Sequence, residues 1–271
     1  MTEIFDAFLD LKNKNEAALI AYITVGDPNA SKTLRFVSAL IEGGVDIVEL
    51  GIPFSDPIAD GPTIQNAVAR SLAGGCKPID TFEIASTLRE KYEIPLVAMT
   101  YFNPVFRIGL TRFLKLGREA GISGLIIPDL PIEESQTYKK ECASNKMDTI
   151  FLVARSTDEA RLKRIAAETS GYLYLVSLYG VTGARSTLTQ DVVNLVERYD
   201  NFLSDEIPFA VGFGISKSEH VRRIASAGAD GVIVGSAFVN IIAENTHNTR
   251  RAAQKLQKLA RTLKRATRIN R

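Results

Sequence analysis

The strongest constraint on this chain is a repeated beat: a short apolar run, a glycine or proline turn, a helix-spaced segment, and then the next apolar run. The first run, residues 18–25, is apolar almost throughout and stops at Gly26-Asp27-Pro28. A strand needs such a run when both of its faces are buried, as in a parallel sheet covered by helices. The same signal predicts strands at residues 46–50, 95–102, 124–128, 148–154, 171–177, 208–212 and 231–234. Helical spacing occupies residues 30–42, 61–72, 79–91, 110–120, 132–143, 158–169, 190–198, 217–227 and 237 onward. Ile4, Phe5, Phe8, Leu9 and Leu11 add a further helix ahead of the first strand, over residues 4–14.

Eight strands, each followed by a helix, within 271 residues predict an α/β fold: a closed (β/α)8 TIM barrel with an extra N-terminal helix, spanning 1–271 as a single domain. A doubly wound open sheet is the competing arrangement. It has about five or six strands and a glycine-rich nucleotide fingerprint after the first, and no GxGxxG occurs there. From about residue 250 to 271 the chain carries Arg250, Arg251, Lys255, Lys258, Lys264, Arg265, Arg268 and Arg271 with no acid after Glu244. Leu256, Leu259 and Leu263 keep a helical spacing, so this stretch reads as the solvated face and basic tail of the last helix.

Net charge is +2, and no aromatics interleave the basic tail, so no nucleic-acid partner is expected. No apolar run is long enough to span a membrane, and the first residues lack the order of a secretion signal. A soluble, cytoplasmic protein is the expectation. Cys76 and Cys142 stand in no metal-like or redox spacing and read as reduced thiols.

In a barrel the active site lies at the C-terminal ends of the strands. That rule gathers Glu49, Tyr101, Asn103, Asp129, Tyr174, Gly183, Gly214 and Gly235 onto one face, although they are scattered in sequence. Along the second strand Val48 and Leu50 alternate outward and Glu49 inward. Alone, Glu49 would more often be a rim charge, and Asp60 a helix N-terminal acid. Gly183, Gly212, Gly214 and the Gly235-Ser236 pair bring glycines to the turns after the sixth, seventh and eighth strands, where barrels hold phosphate. No predicted strand ends in a lysine, and His220 and His247 fall in a helix and near the tail as surface residues. Schiff-base and His-metal chemistry therefore lack their groups, and no metal is expected. Proton transfer by Glu49 and Asp60 remains, with Tyr174 as a third donor, in a pocket shaped by Tyr22, Tyr101, Phe54 and Phe213. Cleaving a carbon–carbon bond with these groups would require the substrate to supply its own electron sink.

The run Val48-Glu49-Leu50-Gly51-Ile52-Pro53-Phe54-Ser55-Asp56-Pro57-Ile58-Ala59-Asp60-Gly61 resembles the signature of the tryptophan synthase α-subunit family. Supporting stretches follow in the family's order: residues 22–28, 99–104, 127–131, 180–183 and 212–216. The resemblance implies retro-aldol cleavage of indole-3-glycerol phosphate to indole and glyceraldehyde 3-phosphate, in tryptophan biosynthesis. Protonation of indole C3 supplies the missing sink. Carried over, Glu49 moves the protons, Asp60 holds the indole N–H, Tyr174 assists at the breaking bond, and Gly183, Gly214, Gly235 and Ser236 bind phosphate. It also implies no cofactor in this chain and a β-subunit partner holding pyridoxal phosphate, in an α2β2 heterotetramer. Mobile loops around Asp56 and Thr182 would communicate with that partner. Leu178 and Tyr179 depart from the family's pattern, which more often has an Arg or a small residue there. Two other readings stand beside it: a sister phosphate-binding barrel acting on indole or anthranilate precursors, and a non-catalytic barrel that only activates a partner.

Overall fold

The computed structural model describes residues 2–176, 190–203, 207–212 and 214–269. Its strands are β1 (Ala18–Thr24), β2 (Ile47–Gly51), β3 (Leu96–Met99), β4 (Gly124–Ile126), β5 (Asp148–Ile150), β6 (Leu152–Ala154), β7 (Leu173–Val176), β8 (Phe209–Gly212) and β9 (Gly231–Val234). Its helices are α1 (Glu3–Asn13), α2 (Ala30–Glu42), α3 (Pro62–Ala73), α4 (Asp80–Arg89), α5 (Phe102–Ile108), α6 (Leu110–Glu119), α7 (Gln136–Ser144), α8 (Glu159–Glu168), α9 (Gln190–Leu203), α10 (Ser218–Ser226), α11 (Ser236–Ala243) and α12 (Thr249–Arg265). Every pairing between strands is parallel, in the order β5-β4-β3-β2-β1-β9-β8-β7-β6.

The two ends of that order, β5 and β6, are separated only by Phe151. They are the halves of one strand: the first pairs with β4, the second with β7. The backbone N–H of Tyr174 donates to the Phe151 carbonyl at 2.9 Å across the break. The sheet therefore closes on itself as a (β/α)8 barrel, and the nine segments fill eight strand positions.

Strand alternation sorts the side chains. Leu19, Ala21, Ile23, Val48, Leu50, Leu96, Ala98 and Leu125 face outward and pack beneath the helices. Ala18, Ile20, Ile47, Val97, Ile126, Ile150, Tyr172, Ala210 and Ile233 face inward and form a separate cluster. That inner cluster would be open at the strands' N-terminal end without the helix expected at residues 4–14. Ile4, Phe8 and Leu11 of α1 close it, each burial contributing about 1.5–3 kcal/mol.

Some sequence expectations shift. The strand expected over residues 95–102 ends at Met99, and the unforeseen α5 begins at Phe102, where the backbone N–H donates to Asp129 Oδ1 at 2.8 Å. The helix expected over 132–143 opens with a 3-10 turn, Ile132–Glu134. The last helix is two, α11 and α12. Residues 250–265 are not a solvated tail: Ala252, Leu256, Ala260 and Leu263 are buried, and α12 packs on α2. A Cβ on Gly43, which follows α2, would come within 2.6 Å of Ala260 Cβ, so glycine is needed for this approach. Lys264 binds Asp46 at 2.8 Å and Glu16 at 2.9 Å, while Arg250, Arg251, Lys258, Arg261 and Arg265 keep the outer face basic and exposed. His220 is also a correction: it is buried on α10 rather than at the surface, and burial lowers its pKa. Among the described residues no helix is long and apolar enough to cross a membrane.

Candidate active site

β2 carries Glu49 inward between the outward Val48 and Leu50, as alternation requires, and pairs it in register with Tyr22 of β1. The carboxylate has no solvent exposure. Its Oε1 accepts a hydrogen bond of 2.5 Å from the Tyr172 hydroxyl, and its Oε2 has no hydrogen-bond partner among the described residues. Burial pushes Glu49 up to about 7, with the Tyr172 hydrogen bond pulling the other way. Tyr172 is in turn set against Phe8 of the α1 plug, ring centroids 5.7 Å apart.

After Gly51 the chain leaves the barrel through a proline-rich loop and re-enters at Gly61-Pro62. Pro62 suits the first turn of α3 because its missing N–H would find no helical partner there. Asp60 precedes Gly61, the N-cap, and makes no side-chain cap; its carboxylate turns to Tyr101 instead. The Tyr101 hydroxyl donates to Asp60 Oδ2 at 2.9 Å and accepts from the Ala59 N–H at 3.0 Å. The Phe54 ring lies 5.6 Å from the Tyr101 ring. One tyrosine thus fastens both ends of the loop's inner side. Burial raises Asp60 to about 6, opposed by the Tyr101 hydrogen bond. Asp56 stands exposed at the loop's outer edge, accepting from Ser55 Oγ at 2.5 Å.

A cavity of about 320 Å³ opens at the C-terminal ends of the strands, lined by Tyr22, Asp60, Tyr174, Gly214, Gly235 and Ser236 among others. Glu49 does not line it and sits withdrawn beside Tyr22. Tyr174 faces the cavity across Gly212, where a Cβ would come within 2.9 Å of its ring; its hydroxyl makes no hydrogen bond to another described residue. Burial first, then the charge of Glu49, raises the Tyr174 pKa and keeps it a donor. Gly235, also in the lining, is the N-cap of α11 and offers no side-chain cap to the first N–H groups of that helix. Gly214 holds a φ of +65°, a conformation suited to glycine.

The structure thus lines one cavity with Asp60, Tyr174, Tyr22, Gly214, Gly235 and Ser236, with Glu49 paired beside Tyr22 and Tyr101 bonded to Asp60. Gly183, Thr182 and Phe213 lie outside the described residues, as does nearly all of the segment 178–190. Asp129 caps α5 and Asn103 is exposed on it, so neither joins the group. Tyr172 was missed by the sequence reading, although it stands two residues before Tyr174 within the strand expected over 171–177 and so must share its face. Met99, Leu152 and Ile233, the apolar cavity wall, follow from the same alternation. Cys76 and Cys142 are buried and unbridged.

The family model for the tryptophan synthase alpha chain matches residues 8–268. The chain belongs to the tryptophan synthase alpha chain family. It is 48% identical over 265 residues to the alpha chain of Methanosarcina barkeri, covering 98% of each chain. It is 45% identical over 248 residues to that of Pyrococcus abyssi, covering 92% of this chain and 98% of the relative. Among solved structures, tryptophan synthase from Mycobacterium tuberculosis superposes with a TM-score of 0.89 at 36% identity, covering 99% of both chains. The tryptophan synthase complex of Pyrococcus furiosus gives 0.84 at 39% identity, covering 92% of this chain and 98% of that one. As a tryptophan synthase alpha chain, the protein is a lyase that cleaves indole-3-glycerol phosphate.

Proposed function

We propose that this alpha chain works by a retro-aldol route in which Glu49 carries the protons and Asp60 steadies the ring. The observation that carries the reading is a cavity lined by Asp60, with a second carboxylate of different character, Glu49, withdrawn beside it and an uncapped helix N-terminus in its lining. A Glu49 near 7 is about half protonated at neutral pH, whereas an Asp60 near 6 is mostly ionised. Neutral Glu49 gives its proton to indole C3, making an indolenine whose ring nitrogen draws in electrons. Glu49 then takes the proton of the hydroxyl beside the ring as the carbon–carbon bond breaks; the bond's electrons restore the indole, and the hydroxyl carbon becomes the aldehyde. The acid is regenerated in its starting form. Ionised Asp60 accepts the indole N–H and offsets the positive charge that grows there.

Because Glu49 is withdrawn, substrate entry requires it to turn from Tyr172 toward the cavity. Tyr174 assists beside the breaking bond. Phosphate rests on Gly183, Gly214, Gly235 and Ser236, a reading supported by the open first turn of α11. None of these steps asks for a cofactor in this chain.

The partner is a β subunit, in an α2β2 complex, and the pyridoxal phosphate belongs to it. Ile58 and Phe106, 79% and 71% exposed, are apolar side chains at the rim formed by the acid loop and α5. Asp56 stands on that loop, and Thr182 belongs with it as a coupling element. The test is indole release from indole-3-glycerol phosphate by the purified chain in metal-free buffer, with and without a β subunit. Slow release that rises on adding the β subunit is expected. No indole under either condition would overturn the catalytic assignment and return the chain to a sister reaction or to a partner-activating role.

A further inference from the structure

Four tyrosine hydroxyls bear on the catalytic site, two of them in the cavity lining, and the other two are committed to its carboxylates. Tyr172 donates to Glu49, and Tyr101 donates to Asp60 while accepting from Ala59. Tyr174 bonds no other described residue and assists the bond cleavage. The fourth, Tyr22, has no role in the chemistry derived above.

Tyr22 is 93% buried, being 7% exposed, and lines the cavity. A Cβ on Gly235 would lie 3.3 Å from Tyr22 Cβ, so the root of the side chain rests against the open start of α11. A Cβ on Gly51 would lie 2.2 Å from the Tyr22 hydroxyl, so the tip rests over the end of β2, two residues beyond Glu49. Glycine at 51 leaves the room that this hydroxyl occupies. The phenol therefore runs the length of the wall between the phosphate end and the acid end. Among the described residues its hydroxyl has one hydrogen-bond contact, to Thr24 Oγ1 at 3.5 Å, the outer limit of such a bond. A buried hydroxyl so poorly partnered is uncommon unless something else is meant to bind it. Burial and the charges of Asp60 and Glu49 hold it protonated.

In the substrate, the atoms between the phosphate and the ring are the carbons of the three-carbon arm, two of which carry hydroxyls. We infer that the Tyr22 hydroxyl hydrogen-bonds one of the arm's hydroxyls and so selects a hydroxylated arm over a plain alkyl one. This deepens the lyase reading and rests on it. A phenylalanine would line the same wall equally well, so the hydroxyl alone carries the selection.

The test is a comparison of two ligands on two proteins. Wild type and Tyr22→Phe are assayed for kcat/KM on indole-3-glycerol phosphate and for competitive inhibition by indole-3-propanol phosphate, whose arm has no hydroxyls. The variant is expected to lose about 5- to 10-fold in kcat/KM, the range of one neutral hydrogen bond, with the inhibition constant changed less than about 2-fold. Its thermal midpoint is expected to hold or rise, because a poorly partnered buried hydroxyl is removed. Equal losses for both ligands, or no loss for either, would overturn the proposal. A wild-type protein that neither turns over the substrate nor binds the propanol phosphate would overturn the lyase mechanism itself, and the proposal with it.

Discussion

Glu49 is held at a cost that can be measured without assaying catalysis. Its carboxyl is fully buried, with one oxygen on Tyr172 and the other unpartnered among the described residues, and burial raises it from 4.5 to about 7. A folded pKa raised above the unfolded one means that the native state binds the proton more tightly, so stability falls as pH rises between the two values. Below the unfolded value both states are protonated and the penalty is absent. A shift of that size gives a penalty of roughly 1 kcal/mol at pH 5 and roughly 3 kcal/mol at pH 7, at 1.36 kcal/mol per pKa unit. Glu49→Gln keeps an oxygen to accept from Tyr172 and cannot ionise. Relative to wild type, it is expected to gain stability as pH rises, by roughly 2 kcal/mol between pH 5 and pH 7. Urea denaturation of both proteins across that range reads the difference directly. A stability difference that stays constant with pH would refute the claim that Glu49 ionises against burial. The same variant is expected to lose turnover by about 10²-fold or more, as for a proton-transfer group.

Asp60→Asn should lower kcat more mildly than Glu49→Gln, since the amide oxygen still accepts the indole N–H but brings no charge; an equal or larger loss in steady-state assays would assign Asp60 a proton-transfer role. Tyr172→Phe removes the hydrogen bond that favours the Glu49 carboxylate, so the alkaline limb of the pH–rate profile should move to higher pH, and an unmoved limb would disconnect the two residues. Gly235→Asp sets a negative charge at the open start of α11, so inorganic phosphate should inhibit the variant only weakly; unchanged inhibition would remove that helix from the phosphate site. Phe106→Asp should abolish the rise in activity on adding a β subunit while leaving indole release by the chain alone, and a normal rise would place the docking face elsewhere.

Much of the architecture was legible because it follows from short-range rules. Unbroken apolar runs marked both-face-buried strands, glycine and proline marked the turns, and eight repeats of the beat left few topologies. Glu49 could be assigned to the inner face from its neighbours Val48 and Leu50 alone, and the acid loop gave the family resemblance. Element ends were less legible. Phe102 looked like strand until Asp129, 27 residues away, capped a helix at it, and Leu256 looked like the apolar side of a tail until α2 supplied the surface it packs on.

What the sequence determined by itself was the order of strands and helices, the face on which each side chain falls, and the carboxylates and glycines available. Periodicity and turn chemistry act over a few residues, and the chain states them locally. Tertiary structure alone decided what those groups became. Tyr172, 123 residues from Glu49 in sequence, holds one of its oxygens. Tyr101, 41 residues from Asp60, turns that acid away from its helix. A carboxylate's pKa depends on the water it has lost and the donors it has gained, and both are set only when distant strands close around it.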